Sequence, residues 1–146
     1  MQLEAIDIPI ILLVEDDPDD AELTLHALKK SNLKNQVVWV KDGVSALDYI
    51  FLEGEFSNLT AESRPALVLL DLQLPKIDGL EVLGRIRKDE RSRNLLVVIL
   101  TSSDDDEDII KSYDLFANSY IQKPVDFQSF VSTVQHLGMY WMVLNK

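Results

Sequence analysis

Five short apolar runs divide the chain, and the residues between them repeat at helical spacing. The runs are Ile10 to Val14, Val37 to Val40, Leu67 to Leu70, Leu96 to Leu100, and Tyr120 to Ile121. Runs this short and this apolar suit strands buried on both faces of a parallel sheet. Between them, Ala21, Leu25 and Leu28 share one helical face, and Ala46, Leu47, Ile50 and Phe51 share another. Leu80, Leu83 and Ile86 form a third stripe, with Arg85, Arg87 and Lys88 in the last turns, where cations suit the helix dipole. Ile109, Ile110 and Tyr113 mark a fourth helix; Phe127, Phe130, Val131, Val134 and Leu137 mark a fifth. This alternation predicts an α/β fold: a doubly wound, five-stranded parallel sheet flanked by five helices. The 146 residues suffice for one domain, read as residues 8–146 after a short N-terminal tail, residues 1–7.

In such sheets the functional residues lie beyond the carboxyl ends of the strands, near the switch in strand order. After the first run come Glu15, Asp16, Asp17 and Pro18. Asp17 precedes a proline that suits the first helical position, so it reads as an N-cap. Glu15 and Asp16 remain at the strand end, where a solvated acidic turn is the plain alternative. Asp71 ends the third run, a position that packing does not explain. Thr101, Ser102 and Ser103 follow the fourth, with capping as the plain role for Ser103 or Asp104, and Lys123-Pro124 follows the fifth. An acidic pair, a central aspartate, a hydroxyl and a lysine thus converge. Mg²⁺ is a hard ion that takes oxygen ligands, and clustered carboxylates would bind it and lose their mutual repulsion. Asp71 could then act as a carboxylate nucleophile, with Lys123 and Thr101 holding the oxygens of a phosphoryl group.

Composition narrows the partners. Formal net charge is -11, which opposes direct binding to nucleic acid or an anionic membrane. There are no cysteines, so disulfides, thiolate metal sites and cysteine nucleophiles are excluded. No apolar run approaches the roughly 20 residues of a membrane helix. The first seven residues carry acids and no basic region, unlike a signal peptide. A cytoplasmic protein is expected.

Val14-Glu15-Asp16-Asp17-Pro18, Leu70-Asp71-Leu72-Gln73-Leu74-Pro75, Asp78-Gly79, Leu100-Thr101-Ser102 and Lys123-Pro124 occur in this order across nearly the whole chain. The set resembles the receiver domain of two-component response regulators, which have a flavodoxin-like fold. The resemblance implies that Asp71 accepts a phosphoryl group from a sensor histidine kinase. It implies Mg²⁺ (or Mn²⁺) held by the acidic pair Glu15 and Asp16, by Asp71 and by the backbone carbonyl of Gln73. It assigns Thr101, Ser102 and Lys123 to phosphoryl binding and makes Tyr120, three residues before the lysine, an aromatic switch. The alternative for Tyr120 is a half-buried strand aromatic. Phosphorylation is then expected to draw Thr101 inward, turn Tyr120 and reshape the face made by the fourth helix, fifth strand and fifth helix. The Lys123-Pro124 bond is expected to be cis, as in the family.

Two departures from a minimal receiver stand out: the longer segment Glu53 to Pro65, and the apolar tail Gly138 to Leu144 within residues 138–146. Both resemble the small single-domain receivers paired with cyanobacterial phytochrome histidine kinases, which dimerise. Phe130, Val134, Leu137 and Trp141 continue a helical stripe, and an exposed apolar stripe marks an interface. Phe130, Tyr140 and Trp141 are therefore candidate homodimer contacts; the alternative folds Tyr140 and Trp141 back onto the core. With no output domain expected, the signal passes to a downstream protein or phosphorelay partner.

The protein is not expected to be an enzyme beyond self-phosphorylation and autodephosphorylation. An aspartyl phosphatase needs a second carboxylate two residues after its nucleophile, where Gln73 stands. Phosphate-cradling glycine motifs are absent, which argues against a nucleotide-binding module. A scaffold that has lost phosphorylation would not need the intact acidic pair. His26 and His136 read as surface residues, Trp39 as core, and Gly43 and Gly54 as turn glycines.

Overall fold

The computed structural model describes residues 9–31, 35–101, 111 and 113–138. Its strands are β1 (Ile10–Val14), β2 (Gln36–Val40), β3 (Pro65–Asp71), β4 (Leu96–Thr101) and β5 (Ser119–Gln122). They form one parallel sheet in the order β2-β1-β3-β4-β5, the flavodoxin-like order with its switch between β1 and β3. The helices are α1 (Pro18–Lys30), α2 (Gly43–Phe51), α3 (Gly79–Lys88) and α4 (Phe127–His136). Lys111, Tyr113 and Asp114 are also helical, within the fourth helical stripe of the sequence; Ile109 and Ile110 lie outside the described residues.

Each central strand feeds two cores, because successive side chains alternate faces. Ile11, Leu13, Leu67, Leu69, Val98 and Leu100 pack with Ala21 and Leu28 of α1 and with Phe130 and Val134 of α4. Leu12, Val14, Val68, Leu70, Val97 and Ile99 pack with Leu47 and Ile50 of α2 and with Val82, Leu83 and Ile86 of α3. This double burial explains why the strands read as unbroken apolar runs.

Four aspartates start α1 to α4. Asp17, Asp42, Asp78 and Asp126 accept backbone N–H groups of Asp19, Ser45, Glu81 and Ser129 at 2.8, 2.7, 3.0 and 2.7 Å, which satisfies donors that lack an intrahelical partner. The segment after α2 holds two short 3₁₀ turns, Gly54–Phe56 and Ala61–Ser63. The Tyr49 hydroxyl donates to the Ser63 carbonyl at 2.7 Å, and its ring meets Phe56 edge-on at 5.0 Å, which ties the segment to α2.

Three expectations are corrected. Phe130 is 0% exposed in the core between α1, α4 and the sheet, so its side chain is not available to a second copy. Phe130 and Val134 are apolar because they face this chain's own strands. Gly43 is the first residue of α2, where a Cβ would collide with the Ile77 carbonyl oxygen; it is a close-approach glycine. Trp39 is half-buried, with its indole N–H donated to the Glu15 carbonyl at 2.7 Å. His26 and His136 are exposed. No helix among the described residues is long and apolar enough to cross a membrane.

Candidate functional site

The ends of β1, β3 and β5 and the first turn of α1 deliver charged groups to one point. The register sets Val14 beside Leu70, so the residues that follow, Glu15 and Asp71, emerge side by side at the sheet's switch point. Glu15, Asp16 and Asp71 each place a carboxylate oxygen within 4.8 Å of the others. Glu15 and Asp71 are buried, and Asp16 is exposed. The Glu15 loop is pinned twice: the Trp39 indole holds its carbonyl, and the Asp17 N–H donates to its side chain at 3.2 Å.

Lys123 closes the cluster from β5. Its Nζ lies 3.0 Å from Glu15 Oε1, 3.1 Å from Asp71 Oδ2 and 3.1 Å from Asp20 Oδ2. Its backbone N–H donates to the Thr101 carbonyl at 2.7 Å, and the bond to Pro124 is cis. Asp71 Oδ1 accepts the Gln73 N–H at 3.1 Å, so both oxygens of this carboxylate are oriented. Gly79 makes the turn possible: its N–H reaches the Leu72 carbonyl at 2.9 Å, and a Cβ there would collide with the Asp71 carbonyl.

Buried carboxylates held this close cannot all ionise freely. Glu15 is pushed up to about 7, first by burial and then by its hydrogen bond to Asp71 and by that residue's charge, against the pull of Lys123. For Lys123, burial works against the ammonium, but Glu15, Asp71 and Asp20 outweigh it and raise the pKa above its ordinary value. The lysine is thus a fixed cation, and the cluster keeps an excess of negative charge that a divalent cation would neutralise. Three carboxylates with converging oxygens are a donor set suited to a hard cation.

Thr101 is buried at the end of β4, one residue past the Asp71–Leu100 pairing. Tyr120 is 42% exposed and meets Tyr113 edge-on at 6.2 Å. Ser102, Tyr140 and Trp141 lie outside the described residues. Asp20 is the site residue that the sequence reading missed, because a first-turn acid already has a role at the helix dipole. Its position on the first turn, three residues after the cap at Asp17, was the available signal. A cavity of about 570 Å³ lies at the opposite end of the sheet beside Arg87, Leu95 and Asn118 and contains none of these groups. The Arg87 guanidinium there is occupied by Phe116, Arg93, Leu95 and Asn118 oxygens.

Comparison with known proteins fits this geometry. The sequence pattern of the response regulator receiver domain matches residues 11–135. The chain is 43% identical to a probable methanogenesis regulatory protein, FilR2, of Methanothrix harundinacea over 145 residues, 99% of this chain and 90% of that protein. It is 37% identical to the response regulator Rcp1 of Synechocystis over 133 residues, 91% of this chain and 88% of Rcp1. Among solved structures, the bacteriophytochrome response regulator RtBRR is 50% identical with a TM-score of 0.86, over 95% of this chain and 83% of that one. The Mn²⁺-bound form of Rcp1 superposes with a TM-score of 0.75 at 36% identity, over 92% and 94% of the two chains.

Proposed function

The chain belongs to the response regulator receiver family, and from that premise we propose that it is a signalling switch phosphorylated on Asp71 by a partner histidine kinase. Residues 8–146 act as one receiver unit. The observation that carries this reading is the Lys123 ammonium, bonded to both Glu15 and Asp71 beside a cluster of three carboxylates.

Glu15, Asp16 and Asp71 fit a divalent cation, and receiver domains bind Mg²⁺ at such an acidic pocket. The Gln73 carbonyl is its proposed fourth protein ligand. A cation bound there would neutralise charge on the carboxylates and on the entering phosphoryl group. An Asp71 carboxylate oxygen attacks the phosphorus of a phosphohistidine. The O–P bond forms, the P–N bond breaks, and the electron pair leaves on the imidazole. Lys123 then turns an N–H to a phosphoryl oxygen, and the Thr101 hydroxyl, with Ser102 beside it, donates to another. Because Lys123 is buried and already charged, it needs no proton from solvent to do this.

Movement of Thr101 passes to Tyr120 and changes the face built by Tyr113, β5 and α4. Similarity to phytochrome response regulators points to a phytochrome-type histidine kinase in the cytoplasm. The outcome is relayed to a downstream protein or phosphorelay partner and to self-association. Incubation with acetyl phosphate and Mg²⁺ is expected to add one phosphoryl group, read by intact-protein mass, and Asp71→Asn to add none. A wild-type protein that stays unlabelled overturns the proposal.

A further inference from the structure

Lys123 has three N–H donors, and three carboxylates take them: Glu15, Asp71 and Asp20 at 3.0 to 3.1 Å. If Asp71 is the phosphoacceptor, Lys123 must surrender one of these bonds to hold a phosphoryl oxygen. The three partners are not equally easy to release. The Glu15 side chain is 0% exposed, so freeing it strands a buried carboxylate, whereas the Asp71 carboxylate, 6% exposed, becomes the acyl phosphate and its bond to Lys123 passes to the new group. The Asp20 side chain is 33% exposed and regains water when released. The Asp20 carboxylate keeps its charge throughout, so it is the partner that competes with the phosphoryl oxygens for the ammonium.

We infer that Asp20 is a positioning residue that holds the Lys123 ammonium toward α1 in the resting protein and opposes entry of the phosphoryl group. Its charge acts twice. It competes for the cation that the phosphoryl oxygens need, and, once released, it remains beside a group of like charge. Removing the charge while keeping the shape lowers both obstacles.

The test compares wild type, Asp20→Asn and Asp20→Glu at saturating Mg²⁺, each with two small donors at one pH. Acetyl phosphate brings two negative charges and phosphoramidate one. Asp20→Asn is expected to speed labelling by acetyl phosphate about three- to tenfold, the scale of one partly screened charge. The gain should be smaller with phosphoramidate and should shrink as KCl is raised. Asp20→Glu, which keeps the charge, should stay near wild type. A merely structural role would move both donors equally and ignore salt. Equal gains for the two donors, no gain, or Asp20→Glu matching Asp20→Asn would overturn the inference. These results leave the assignment of Asp71 standing wherever the wild type is labelled there. A wild type that neither donor labels removes that assignment and this inference together.

Discussion

At Glu15 burial, a neighbouring carboxylate and an ammonium act on one proton. The group is pushed up to about 7 from an ordinary 4.5, with burial first and Asp71 second among the causes. A carboxyl raised on folding binds its proton more tightly in the native state. The stability it contributes is therefore present below about 4.5 and lost as pH rises through about 7. A divalent cation must displace that proton, so binding and ionisation compete. Apparent Mg²⁺ affinity is expected to rise between pH 5.5 and 7, by at most about tenfold per unit for one proton released, and to level off above. Trp39 fluorescence in a Trp141→Phe background reports it, since the indole is bonded to the Glu15 carbonyl. Affinity that does not change below pH 7, or a slope that survives Glu15→Gln, would remove Glu15 as the source. At this scale the sequence showed which residues reach the strand ends, but not how they pair. Asp17 and Asp20 are both acids of one short stretch; Pro18 marks the first as a cap, but only the path of α1 makes the second a partner of Lys123.

Helix α4 shows what a periodic stripe can and cannot convey. Phe130 and Val134 lie on one face, and that face is legible as apolar; what covers it is not, because a core and a dimer interface ask for the same residues. The structure places both side chains against α1 and the sheet. Phe130→Ala is therefore expected to cost about 3–5 kcal/mol, the range for removing a buried aromatic, read as a lower denaturant midpoint with unchanged slope. A variant with wild-type stability but altered self-association would return Phe130 to the surface. The strands were far more legible than this helix. Central parallel strands must be apolar on both faces, so β1, β3 and β4 announce themselves without any periodicity. Gly43 was misread for the converse reason: a glycine needed for close approach to Ile77 looks in sequence like a glycine needed for a turn.

Across the whole molecule, the acidic excess has assigned places. Four aspartates cap helices, and Glu15, Asp16, Asp20 and Asp71 gather at the switch point around one lysine. With Phe130 and Val134 enclosed in the monomer, the proposed self-association has to draw on other surface. In sequence, Met139, Tyr140, Trp141, Met142, Val143 and Leu144 supply a concentrated apolar segment; it lies outside the described residues. A truncation after Gly138 removes none of the described core residues, so it tests dimerisation and folding together. Sedimentation equilibrium at tens of micromolar is expected to find a dimer for the full chain and a monomer for residues 1–138, with both forms still labelled at Asp71 by acetyl phosphate. A truncated protein that remains dimeric would move the interface to the face around Tyr113 and Tyr120, the two half-exposed rings packed edge-on beside β5. In that case phosphorylation of Asp71 should change the dimer's dissociation constant, because the same face is the one proposed to switch.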